Sequence, residues 1–126
     1  MAKVLLFNID GKKEITIKNL CRKLFIESQN VEKAQFGRRL SYLLGESGDD
    51  SFSDGADFDE EMLYLVDLDG GMLSIFLNQL RRLKVPVGLK AVKTQTNVGF
   101  TAFELYRELS AEREAIAAGM QAHPTG

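Results

Sequence analysis

Cysteine occurs once in these 126 residues, and so does histidine. A lone Cys21 can form neither an intramolecular disulfide nor a cysteine-cluster metal site. A lone His123, beside Pro124, leaves no imidazole to activate Cys21 or a serine. A nucleophile–histidine triad and a histidine-based zinc site are both set aside on that ground. No catalytic residue, metal or cofactor is expected. Long apolar runs are also missing: none approaches the roughly eighteen residues of a membrane span. The opening, Met1 to Phe7, has an apolar run of only four residues, against the roughly seven to fifteen of a secretory leader. A cytoplasmic address and no membrane partner are expected. There is no excess of positive charge either. The net charge is −2, and Arg22-Lys23, Arg38-Arg39 and Arg81-Arg82 are isolated doublets suited to solvated helix faces. No nucleic-acid partner is expected.

What remains is an ordinary globular composition, 44% hydrophobic and 27% charged, in a chain of single-domain length. Val4-Leu-Leu-Phe7 and Met62-Leu-Tyr-Leu-Val66 are continuous apolar runs, the pattern of strands buried on both faces. Ile17, Leu20, Cys21, Leu24 and Phe25 fall at helical spacing and predict a helix over 12–25. Leu73, Phe76, Leu77, Leu80 and Leu83 predict a second, which Pro86 stops. A polar strand is expected over 27–31. A short helix is expected around Leu40 to Leu44, with Gly45 as its C-terminal cap. Val87, Leu89 and Ala91 alternate with neighbours suited to solvent, as in an edge strand. Thr101-x-x-Glu104 is a capping box opening a last helix, with Gly119 as its expected end. The domain is read as 1–119 and residues 120–126 as a flexible tail.

Strands alternating with helices predict an α/β domain. The most apolar strands, the first and third, belong at the centre. The expected sheet is four-stranded and mainly parallel, in order 2-1-3-4, with helices on both faces. The alternative is a ferredoxin-like α+β arrangement in order 4-1-3-2 with an extra C-terminal helix. Continuous apolar runs favour coverage of both faces.

The candidate site is the polar loop after the fourth strand. Lys90, Lys93, Thr94, Thr96 and Asn97 bring two ammonium groups, two hydroxyls and an amide to the start of a helix, where an anion is favoured. In a parallel sheet Asp10 and Asp67, at the ends of strands one and three, would lie beside them. A plainer account is that Asn97 makes a local turn, Lys90 protects an edge strand, and Asp10 and Asp69 cap helices. No glycine-rich phosphate loop of standard type occurs.

Residues 46–61 form an acidic segment: eight of sixteen are Asp or Glu and none is basic. Asp50, Asp54, Gly55 and Glu61 match part of a calcium-loop pattern, but Phe52 and Phe58 occupy two ligand positions and a strand follows where a helix is needed. The segment is expected to be a solvated connector kept extended by its own charge, with Phe52 and Phe58 pinning it. Cys21, on a helix stripe, is expected to be buried and inert. Ile116 and Met120 are expected to serve a homo-dimer contact through the C-terminal helix.

Several blocks together resemble the bacterial domain of unknown function 3783 family. They are Val4-Leu-Leu-Phe7 with Asp10-Gly11, Leu40-x-x-Leu-Leu-Gly45, Glu60-Glu-Met-Leu63, and Leu89-Lys-Ala-Val92 with Thr94, Thr96-Asn97 and Thr101-Ala-x-Glu-Leu105. Gln95 and Phe100 stand where that pattern leads one to expect proline and tryptophan. The resemblance implies a bacterial, soluble, single-domain protein and brings no activity with it. The functional expectation is a non-enzymatic binding or interaction module. The alternative is a sensor or enzyme for a small phosphate or carboxylate ligand at the loop after the fourth strand.

Overall fold

Asp10 and Asp69 start the two helices that hydrophobic spacing predicts. The Asp10 carboxylate accepts from the Lys12 N–H at 3.1 Å and Asp69 from the Met72 N–H at 2.8 Å. Each cap contributes about 1 kcal/mol. A computed structural model describes residues 1–122 and gives the order β1 (Lys3–Phe7), α1 (Gly11–Lys23), β2 (Glu27–Val31), α2 (Leu40–Leu43), β3 (Met62–Val66), α3 (Gly70–Arg82), β4 (Leu89–Val92) and α4 (Ala102–Ala122). Gly45, at φ +75°, follows α2 as the expected left-handed cap. Helix α4 passes through Gly119, its expected end, to Ala122. One glycine costs a helix only about 1 kcal/mol, and two alanines, Ala117 and Ala118, precede this one. The rest of the expected tail, with His123, lies outside the described residues.

The strand order is β2-β1-β3-β4, as expected, and helices cover both faces. The ferredoxin-like order is excluded. β1 pairs with β2 and β3 with β4 in parallel, while the central β1–β3 pairing is antiparallel. Alternate residues of the apolar strands feed two cores. Val4, Leu6, Leu63 and Leu65 pack against Ile17 and Cys21 of α1 and Phe76 and Leu80 of α3. Leu5, Phe7, Met62, Tyr64 and Val66 pack on the other side against Phe36, Leu40, Phe58, Ala102 and Leu105. Two buried faces explain why these strands read as continuous apolar runs.

The antiparallel junction hides a duplication. A shift of 59 residues superimposes the left-handed residues Asn8 and Phe25 on Asp67 and Lys84. It also superimposes the caps Asp10 and Asp69, and the core residues Ile17 and Cys21 on Phe76 and Leu80. Leu6, Gly11, Asn19, Arg22 and Leu24 recur as Leu65, Gly70, Asn78, Arg81 and Leu83. Even the exposed Arg22–Asn19 hydrogen bond recurs, as Arg81–Asn78. In the β1–β3 register Leu5 faces Tyr64, its own equivalent. The sheet is thus two βαβ units related by a pseudo-two-fold through that pair. The halves differ in one insertion. β2 begins at Glu27, directly after Ile26, whereas Pro86-Val87-Gly88 separates Val85 from β4. The registers agree, since Lys3 pairs with Glu27 and its equivalent Met62 pairs with Leu89.

Candidate functional site

The loop after β4 is held by its own side chains. The Asn97 Oδ1 accepts from the Tyr64 hydroxyl at 2.6 Å and from the Thr94 N–H at 2.8 Å. Its Nδ2 donates to the Val92 carbonyl at 3.0 Å, and its N–H donates to the Thr94 Oγ at 2.9 Å. Asn97 is therefore a turn former that also occupies a carbonyl on the free edge of β4. Tyr64 is fully buried, and burial raises its phenol above the ordinary range. Lys93 donates to Glu46 at 2.6 Å, and Lys90 to the Val87 carbonyl at 2.7 Å. Thr96 is exposed. The Thr101–Glu104 capping box forms reciprocally, at 2.8 and 3.1 Å.

The two candidate carboxylates separate. Because β3 runs against β1, the end of β1 that leads to Asp10 lies beside the start of β3, and Asp67 lies at the other end of the sheet. Asp67 shares its end with Lys93 and Thr94, since β3 and β4 are parallel. It sits 3.7 Å from the α-amino group of Met1. Asp10 is occupied as the α1 cap, and its N–H donates to Glu61 at 3.0 Å. An all-parallel convergence of Asp10, Asp67 and Thr94 is corrected by this register.

The acidic segment is strapped to the body rather than held extended by self-repulsion. Glu46 pairs with Lys93, Asp49 with Arg39, Asp57 and Asp59 with Lys33, Glu60 with Arg113 and Glu61 with Lys13. Cations drawn from α1, the loop after β4, α4 and the 33–39 turn cancel the like charges locally. The Arg113 guanidinium beside Glu60 holds that carboxyl below the usual carboxylate range. Phe58 is buried as a pin, stacked between Phe36 and Tyr106 with centroids 4.4 Å away on each side. Phe52 is half-exposed, and the Arg38 guanidinium lies between its ring and that of Tyr42. Gly37 lets the strap approach: a Cβ there would lie 2.3 Å from the Ser53 carbonyl oxygen. Among the described residues no group of three or more His, Cys, Asp or Glu is disposed to hold a metal ion.

The feature that sequence patterning missed is a groove between α3 and β4. It encloses about 540 Å³ over a floor of Leu77, Leu80, Val85, Pro86 and Val87, with Arg81, Lys84 and Lys90 at its rim. No acidic residue lines it, and these three cations form no ion pair among the described residues. It lies where Pro86-Val87-Gly88 breaks the duplication. The signal was present in the sequence as an internal repeat with a three-residue offset, visible once the two Asp-Gly caps are aligned.

Among the described residues no helix is long and apolar enough to cross a membrane. No curated protein and no solved structure matches this chain. The blocks Val4–Gly11 and Leu40–Gly45 fall outside the one family match, which begins at the last residue of the acidic strap. Residues 61–116, carrying β3, α3, β4 and the first two thirds of α4, match the family described as "Domain of unknown function (DUF3783)".

Proposed function

We propose that this chain is a non-enzymatic interaction module whose contact surface is the α3–β4 groove. The carrying observation is the groove itself: an apolar floor with a cationic rim that forms no ion pair among the described residues, at the place where the two βαβ units differ in length. Binding pockets combine an apolar lining with a few placed polar groups in this way, and the volume lies in the usual range for them. The cytoplasmic address and bacterial origin expected from the sequence belong to this proposal. Lys90 is shared between the groove and the loop first singled out. The other loop groups speak against a small-anion sensor or enzyme there: Lys93 is neutralised by Glu46, and Asn97 is engaged by Tyr64, Thr94 and Val92.

The test is capture from cell extract by immobilised wild-type chain, an Arg81→Glu/Lys84→Glu variant and a Lys93→Ala/Thr96→Ala variant. The groove variant is expected to lose partners that the loop variant keeps. Equal partner sets from all three, or losses confined to the loop variant, would sink the reading.

A further inference from the structure

The groove and the free part of α4 lie at the same end of the sheet, on opposite sides of β4. The groove lies with Lys84 to Val87 on the α1/α3 side. Helix α4 crosses the other side, where Leu109, Arg113 and Ile116 flank Gly88 and Lys90. From there residues 111–118 are all exposed. A surface helix ordinarily buries one stripe. Here Ile116, at 64% exposure, continues the Leu105–Leu109 stripe past the body that covers it. Arg113 is engaged by Glu60 at 2.8 Å, leaving Glu112 and Glu114 without an ion partner among the described residues. The helix end is thus acidic with an apolar stripe, and the groove is basic with an apolar floor.

We infer that the occupant of the groove is this end of α4 from a second copy of the chain, exchanged reciprocally in a two-fold dimer. The inference rests on the groove being the contact surface. Consider a two-fold axis in the plane of the sheet, crossing the strands at the Lys84–Gly88 end. It turns the second copy over, so that its α1/α3 layer stands level with the first copy's α4. The overhanging helix then runs into the partner's groove, and the symmetry repeats the contact. Ile116 meets the Leu77, Leu80 and Val87 floor, and Glu112, one turn earlier on the same helix face, meets the Arg81 and Lys84 rim. Each copy supplies one helix end and one groove, so the contact closes as a dimer rather than growing into a filament.

Sedimentation equilibrium over a concentration series tests this. The mass is expected to rise from 14.1 kDa to twice that value. Ile116→Asp should weaken association at least tenfold. Lys84→Glu and Glu112→Lys should each weaken it, and the two together should restore it, which a misfolded variant would not do. A chain that stays monomeric at millimolar concentration, or a dimer indifferent to all these changes, overturns the inference. If the monomer still captures partners that the Arg81→Glu/Lys84→Glu variant loses, self-docking alone fails. If it captures nothing through the groove, the reading of the groove fails with it.

Discussion

Leu5 and Tyr64 face each other across the antiparallel β1–β3 junction and are equivalent positions of the two halves. The pseudo-two-fold therefore passes between a leucine and a tyrosine. The tyrosine hydroxyl is the asymmetric member of the pair, because it donates to Asn97 and Leu5 has no polar group to make such a bond.

The duplication places two non-glycine residues, Phe25 and Lys84, at the same left-handed turn, with φ of 58° and 57°. An L-residue there costs roughly 1–2 kcal/mol. Phe25 is 91% exposed, so its ring gives up little packing when removed. Phe25→Gly should leave stability unchanged or raise it by up to about 1 kcal/mol. Chemical denaturation measures this, and a loss above 1 kcal/mol would mean the ring packs in solution.

Asn97 should behave as a structural residue. Asn97→Ala strands the buried Tyr64 hydroxyl and frees the Thr94 N–H, at a cost of about 2 kcal/mol. Tyr64→Phe should cost about 1 kcal/mol. The double variant should cost less than the sum, since the two share one bond. Strict additivity in a double-mutant cycle would deny the bond any stabilising part.

The strap should depend on its aromatic pin more than on its ion pairs. Phe58→Ala is expected to cost about 3–4 kcal/mol and to open residues 49–57 to proteolysis. Lys33→Ala, which removes two exposed ion pairs, should change stability far less than Phe58→Ala. Gly37→Ala should resemble the Phe58 change, because its methyl group meets the Ser53 backbone at 2.3 Å. Limited proteolysis beside urea unfolding separates these outcomes; equal effects from Lys33 and Phe58 would contradict them.

Cys21 is fully buried, and burial pushes its thiol from the ordinary 9.0 up to about 11. Between those pH values the folded state keeps a proton that the unfolded state has lost. Stability from this group is whole below pH 9 and falls as pH rises towards 11, by about 1.4 kcal/mol per unit at most. Cys21→Ala should flatten that alkaline decline while costing about 1 kcal/mol at pH 7. Iodoacetamide should label the native thiol far more slowly than the unfolded one. Identical pH slopes for variant and wild type would refute the assignment.

Much of the fold was legible because each element carries a local cause. Val4 to Phe7 and Met62 to Val66 are apolar at every position, which only a strand covered on both faces requires. Asp10, Asp69 and Thr101 sit where free helix N–H groups need an acceptor. The strand direction had no such local mark, since an apolar strand reads alike in either sense. That is why Asp10 and Asp67 were expected together and are found apart. The pairing of the acidic strap has no local mark either. Charge counted along the chain predicts repulsion, but Lys13, Lys33, Arg39, Lys93 and Arg113 reach it only after folding.

The amino-acid sequence by itself determined the elements, their caps, and the central place of β1 and β3. Only the tertiary structure decided the sense of β3 against β1, the pairing of the acidic segment, and the groove at Pro86-Val87-Gly88. Helix, strand and cap propensities act over a few residues, whereas strand sense, charge neutralisation and cavity shape depend on which distant side chains meet once the backbone has closed.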